Sequence, residues 1–138
     1  MELVKQTDFG VRRVPISPLV TQEATALTAD YTIPAKQEKA GLTMTNTGAA
    51  APVEITLPSS PAIGERYRIV KLVDQDITVV CGNADHMIAV VGDTTPAEVA
   101  THNSILNDTN ETASLDLEYV ETNQWVGHGV GTWVTAAV

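Results

Sequence analysis

The chain has 138 residues with a formal net charge of −9, and 43% of it is hydrophobic but only 4% aromatic. One domain of this size buries roughly two-thirds of its unfolded surface, and with so few aromatics its core must be built from Val, Ile, Leu and Ala. The acidic balance argues against a nucleic-acid surface, which needs clustered Lys and Arg, and against anionic membranes.

The charge is unevenly laid out. All eight Lys and Arg lie at or before Lys71, whereas ten of the seventeen acids follow it. Six of the seven prolines fall at or before Pro61. Pro15 and Pro18 bracket a short apolar run in the first twenty residues. Proline fixes φ and holds its predecessor extended, so residues 1–28 read as an extended N-terminal arm and residues 29–138 as the body. Leu3, Val4, Lys5, Arg12, Arg13, Val14 and Ile16 mix apolar and basic side chains in that arm. Such a segment is suited to docking on another protein, and these seven residues are the candidate docking site. The alternative is a frayed terminus.

From Tyr31 onward the chain reads as strands. Leu42 and Met44 face one way and Thr43 and Thr45 the other, before a turn at Asn46-Thr47-Gly48. Val53, Ile55 and Leu57 alternate with Glu54 and Thr56, which puts three apolar side chains on one side of a sheet. Pro58 to Gly64 is a loop by composition. Arg66 to Val73 and Ile77 to Cys81 read as a hairpin-like pair turned at Asp74-Gln75-Asp76. Met87 to Val91 is a short apolar strand. Residues 93–112 read as polar and irregular, with a helical turn conceivable over Pro96 to Ala100. Leu115 to Glu121 is the cleanest half-buried strand, with acids on its wet face. It turns at Thr122-Asn123 into Gln124-Trp125-Val126, and Gly127 to Gly131 connects to a last strand at Thr132 to Thr135. Short strands separated by turns predict an all-β fold, an antiparallel β-sandwich or jelly-roll-like body with the extended N-terminal arm.

No chemistry stands out. Cys81 is the lone cysteine and reads as a small buried hydrophobe. Asp74 and Asp76 could form a carboxylate pair for hydrolysis, but Asp is also favoured in turns by its local hydrogen bonds. Asp108 to Glu111 opens like a calcium loop, yet Ala113 stands where the loop needs glycine and Tyr119 where it needs glutamate. His86, His102 and His128 lack ligand spacing. No nucleotide fingerprint or nucleophile elbow occurs. The expectation is a non-enzymatic protein with no cofactor and no metal. No apolar stretch approaches the ~20 residues that span a bilayer, and the N-terminus lacks a signal peptide's basic-then-apolar order, so synthesis in the cytoplasm is expected.

Several segments together carry a family resemblance: Asp30-Tyr31-Thr32-Ile33, Thr45-Asn46-Thr47-Gly48-Ala49, Ile55-Thr56-Leu57-Pro58 and Gly64-Glu65-Arg66-Tyr67, then Ala113 to Leu117, Asn123-Gln124-Trp125-Val126 and Gly131-Thr132-Trp133. Over roughly residues 28 to 135 the chain resembles small β-rich virion proteins of tailed bacteriophages, of the capsid decoration (cement) or fibre and tail-needle tip type. The resemblance implies a homotrimer on the capsid surface of a virion, made in the host cytoplasm, whose partners are its own copies and the major capsid protein. It implies no nucleic-acid or membrane partner. The arm would grip the shell and the acidic body would face outward, stabilising the head. The alternative that the resemblance leaves open is a receptor-binding tip of a tail fibre or needle. A long stalk usually precedes such a tip, and nothing heptad-like precedes Tyr31.

Overall fold

A computed structural model describes residues 24–34, 41–92 and 102–135. Among these residues the fold is all-β, with no helix. Its strands are β1 (Thr25–Ala26), β2 (Tyr31–Thr32), β3 (Leu42–Thr45), β4 (Val53–Thr56), β5 (Arg66–Lys71), β6 (Ile77–Val80), β7 (Met87–Gly92), β8 (Ser104–Asn107), β9 (Ala113–Glu121), β10 (Gln124–Val130) and β11 (Val134–Thr135). They form two sheets, ordered β1-β3-β5-β9-β10-β7 and β11-β8-β6-β4-β2. Pairing with β3 begins at Thr25, so the first sheet takes in residues that the sequence reading placed in the arm.

The chain changes sheet at nearly every connection. Among the described residues only β9 and β10 are both consecutive and paired. Many strands two apart in the sequence therefore become neighbours, and four such pairs run parallel: β1 with β3, β3 with β5, β2 with β4, and β4 with β6; β7 and β10 also pair parallel. Antiparallel pairing is confined to β5–β9, β9–β10, β6–β8 and β8–β11. The sheets are thus mixed, and the antiparallel expectation is corrected. The predicted β5–β6 hairpin is corrected with it. The turn at Asp74 to Asp76 is an arch that carries the chain from one sheet to the other, so each strand pairs across the sheet with a later one.

Neighbouring arches are stapled to each other. The residue after β3 is Asn46, only 1% exposed. Its Oδ1 accepts the Leu72 and Val73 N–H groups at 2.7 and 3.2 Å, and its Nδ2 donates to Val73 O and Gln75 O at 3.1 and 3.2 Å. At the other end of the strands, Gly82 lies against the segment after β4. A Cβ there would come within 2.1 Å of Leu57 O, so only glycine allows this approach.

Apolar residues from both sheets form one buried cluster, including Met44, Tyr67, Ile69, Leu115 and Trp125 from the first and Val53, Ile55, Ile77, Val79 and Ile105 from the second. The strand predicted to end at Val126 continues as β10 through Gly127 to Val130. Its glycines are there to make room. A Cβ on Gly127 would meet Leu115 at 2.8 Å, and one on Gly129 would meet the Trp133 ring at 2.9 Å. Trp133 is held in place by Nε1, which donates to Ser114 O at 3.0 Å. The stretch read as irregular from 93 to 112 contains β8, paired with β6 and β11. It lacks the alternation that marks a strand in the sequence, because the polar Ser104 and Asn107 are buried along with Ile105 while Leu106 is only half-buried.

Candidate functional site

The outward face of the first sheet carries the cleft that best fits a site. Along β5 the pattern alternates: Tyr67, Ile69 and Lys71 turn inward, while Arg66 and Arg68 are exposed. On β9 the outward partners are Asp116 and Glu118, because the register sets Arg66 opposite Glu118 and Arg68 opposite Asp116. Arg66 Nη2 lies 3.2 Å from Glu118 Oε1, and Arg68 Nε 3.5 Å from Asp116 Oδ1. On β10, His128 stands opposite Asp116 and, on its other side, opposite Val91 of β7. These charged side chains and Gly41 surround a cleft of about 420 Å³, with Tyr67 and Leu117 also contributing to its lining.

Both carboxylates hold guanidinium groups, and no serine, threonine, cysteine or lysine lines the opening. Exposed ion pairs of this kind contribute little to stability, so they are free to exchange partners with an incoming charged surface. Beside the cleft the sheet becomes apolar. Val91 and Val130 are exposed on β7 and β10, and Leu72 at the end of β5 is exposed as well.

Beneath this face lies an aromatic group. Tyr119 stacks edge-on to Trp125 with centroids 5.1 Å apart, and Tyr67 tilts against the same indole at 6.0 Å. Tyr119 Oη accepts the Asn123 N–H at 2.7 Å and lies 3.5 Å from His86 Nε2. Burial, reinforced by the Glu65 carboxylate, pushes the Tyr67 hydroxyl well above its usual value.

The docking residues Leu3, Val4, Lys5, Arg12, Arg13, Val14 and Ile16 lie outside the described residues, as does the helical turn expected over 96–100. Asp74 is exposed and Asp76 half-buried in the arch, where Asp76 O accepts the Val53 N–H at 2.9 Å. In the loop Asp108 to Glu111, the Glu111 Oε1 accepts the Thr132 N–H at 3.0 Å, joining the segment after β8 to the segment before β11. The histidines stand apart, His86 buried against Tyr119 and His128 out on the sheet face. Among the described residues no group of three or more His, Cys, Asp or Glu is placed to hold a metal ion.

Sequence reasoning missed Arg66, Arg68, Asp116, Glu118 and His128 as a group. The signal was present in two pieces, Arg-x-Arg on one strand and Asp-x-Glu on another. Joining them required the β5–β9 pairing, which spans the intervening β6, β7 and β8. Comparison of the chain with protein-family models, with curated proteins and with solved structures found no match.

Proposed function

We propose that the chain is a structural virion protein of a tailed bacteriophage, a capsid decoration (cement) protein that binds the outer surface of the head and stabilises the shell. In this reading it acts as a homotrimer on the major capsid protein. The residues ahead of Thr25 form the docking arm, and the two-sheet body stands outward as a sandwich-like knob. One observation carries the reading: the residues of the phage resemblance coincide with those that hold the fold. Asn46 staples two arches, Leu57 ends its strand against the core, and Trp125 and Trp133 are fully buried. The likeness thus sits in the positions that dictate architecture. The exposed Val91, Val130 and Leu72 offer the apolar area that contact between copies would bury. An acidic body keeps neighbouring knobs apart.

The second reading, a receptor-binding tip, is favoured by the cleft of about 420 Å³ between β5, β9 and β10. Gold-labelled antibody on intact virions separates the two. Label over the head supports decoration, label confined to the tail tip supports recognition, and no label on the particle removes both. Under the decoration reading, Arg12→Glu with Arg13→Glu lowers occupancy on capsids while the body stays folded. Unchanged occupancy would remove the arm assignment.

A further inference from the structure

We propose that Lys71 and Asn107 become covalently joined within the folded chain, as an amide between Nζ and the side-chain carbonyl carbon, with loss of ammonia. The inference is independent of the virion reading and rests on the chemistry around one buried lysine.

Lys71 closes the inward row Tyr67, Ile69, Lys71 of β5 and is only 1% exposed. Its Nζ donates to Asn107 Oδ1 at 3.0 Å, to Asn107 O at 3.5 Å and to Thr109 O. All three acceptors are neutral. Among the described residues no carboxylate forms an ion pair with it. An ammonium taken out of water without a counter-charge is costly, and conversion to an amide removes that charge from the interior.

Asn107 is prepared as the electrophile. It is completely buried. Besides Nζ, its Oδ1 accepts the Thr109 N–H at 3.3 Å and the Thr109 hydroxyl at 3.2 Å. Those two donors lie where negative charge develops when a nucleophile adds to the carbonyl, the arrangement that stabilises an oxyanion. The departing nitrogen, Nδ2, is held by Thr132 O at 2.7 Å. Packing keeps nucleophile and carbonyl together, so the addition is intramolecular and its entropic cost is met by folding.

The step balances without an added reagent. Nζ first gives up one proton to bulk solvent. The free amine adds to the Asn107 side-chain carbonyl carbon, forming the new N–C bond and an oxyanion on Oδ1. A second proton passes from Nζ to Nδ2, the C–Nδ2 bond breaks, and ammonia departs as the carbonyl re-forms. The product ties β5 of one sheet to β8 of the other.

The distribution of basic residues supplies a direct test, since no Lys or Arg follows Lys71. Trypsin does not cut after an acylated lysine. If the bond forms, the denatured full-length protein is lighter than its sequence by one ammonia, and its C-terminal tryptic peptide begins at Ile69. Lys71→Arg and Asn107→Ala should each restore the full sequence mass, and a variant that fails to fold leaves the wild-type result intact. Wild-type protein of full mass after prolonged incubation, with a C-terminal peptide beginning at Leu72, would overturn the proposal. So would ammonia loss accompanied by a Leu72 start, which would place the loss in a reaction that does not involve Lys71, such as succinimide formation at an asparagine.

Discussion

Asn46 and Val73 are bonded twice: the Asn46 Oδ1 accepts the Val73 N–H at 3.2 Å, and its Nδ2 donates to Val73 O at 3.1 Å. One side chain thereby satisfies the backbone of an arch more than twenty residues away, in the place where a hairpin would have used its own strand partner. Buried peptide groups need such partners, because leaving them unpaired costs far more than the net gain of making the bond.

Asn46→Ala should therefore destabilise the body by about 1–3 kcal/mol, the cost of part-buried backbone groups losing their partner. Urea unfolding would show a lower midpoint with an unchanged slope. A loss below about 0.5 kcal/mol, the level of an ordinary surface substitution, would mean that water replaces the staple.

Most strand positions were legible in the sequence, β1, β8 and the end of β10 excepted, and their pairing was not. Val53, Ile55 and Leu57 alternate because one face of β4 is wet, and alternation is visible within a handful of residues. Whether Asp74 to Asp76 closes a hairpin or arches between sheets depends on Asn46, a residue on another strand. Turn chemistry alone is the same in both cases. The inward glycines of β10 misled for a related reason, since their meaning lies in Leu115 and Trp133, which fill the space. Lys71 was hidden by its type: a lysine is rarely fully buried, so alternation pointed inward while composition pointed out. The candidate cleft was divided between two distant strands and needed the fold to assemble it.

Gly82→Ala tests the close approach at the opposite end of the strands. The added methyl would overlap Leu57 O, which is backbone and cannot swing away, so the segment after β4 must shift. The expected loss is about 1–3 kcal/mol, the range for forced overpacking. Thermal unfolding would register a lower Tm, and a Tm equal to wild type would show that the two arches are not in contact.

The ion pairs of the cleft are expected to matter for recognition and hardly at all for folding. A double-mutant cycle on Arg68 and Asp116 should give a coupling of about 0.5 kcal/mol, because both side chains are more than half exposed. A coupling above about 2 kcal/mol would mark a structural pair and count against the cleft as a surface with exchangeable charges.

Cys81 makes stability depend on alkaline pH. Burial raises its thiol from 9.0 to about 12. Below pH 9 the thiol is protonated in both states, so its contribution is constant and fully present. As pH rises further the unfolded thiol ionises while the folded one stays neutral, and stability falls by about 1.4 kcal/mol per pH unit until the folded thiol titrates. Tyr67, raised by burial and Glu65, adds a decline of the same sign above pH 10. The difference between wild type and Cys81→Ala isolates the thiol. Cys81→Ala should start less stable at pH 8, where it has lost packing, and fall more slowly between pH 9 and 11. At pH 8 the native thiol should also react with iodoacetamide about a thousandfold more slowly than the unfolded chain, since only the thiolate attacks. Equal slopes for the two proteins, together with rapid native labelling, would place Cys81 in contact with water, against its burial in the core after β6.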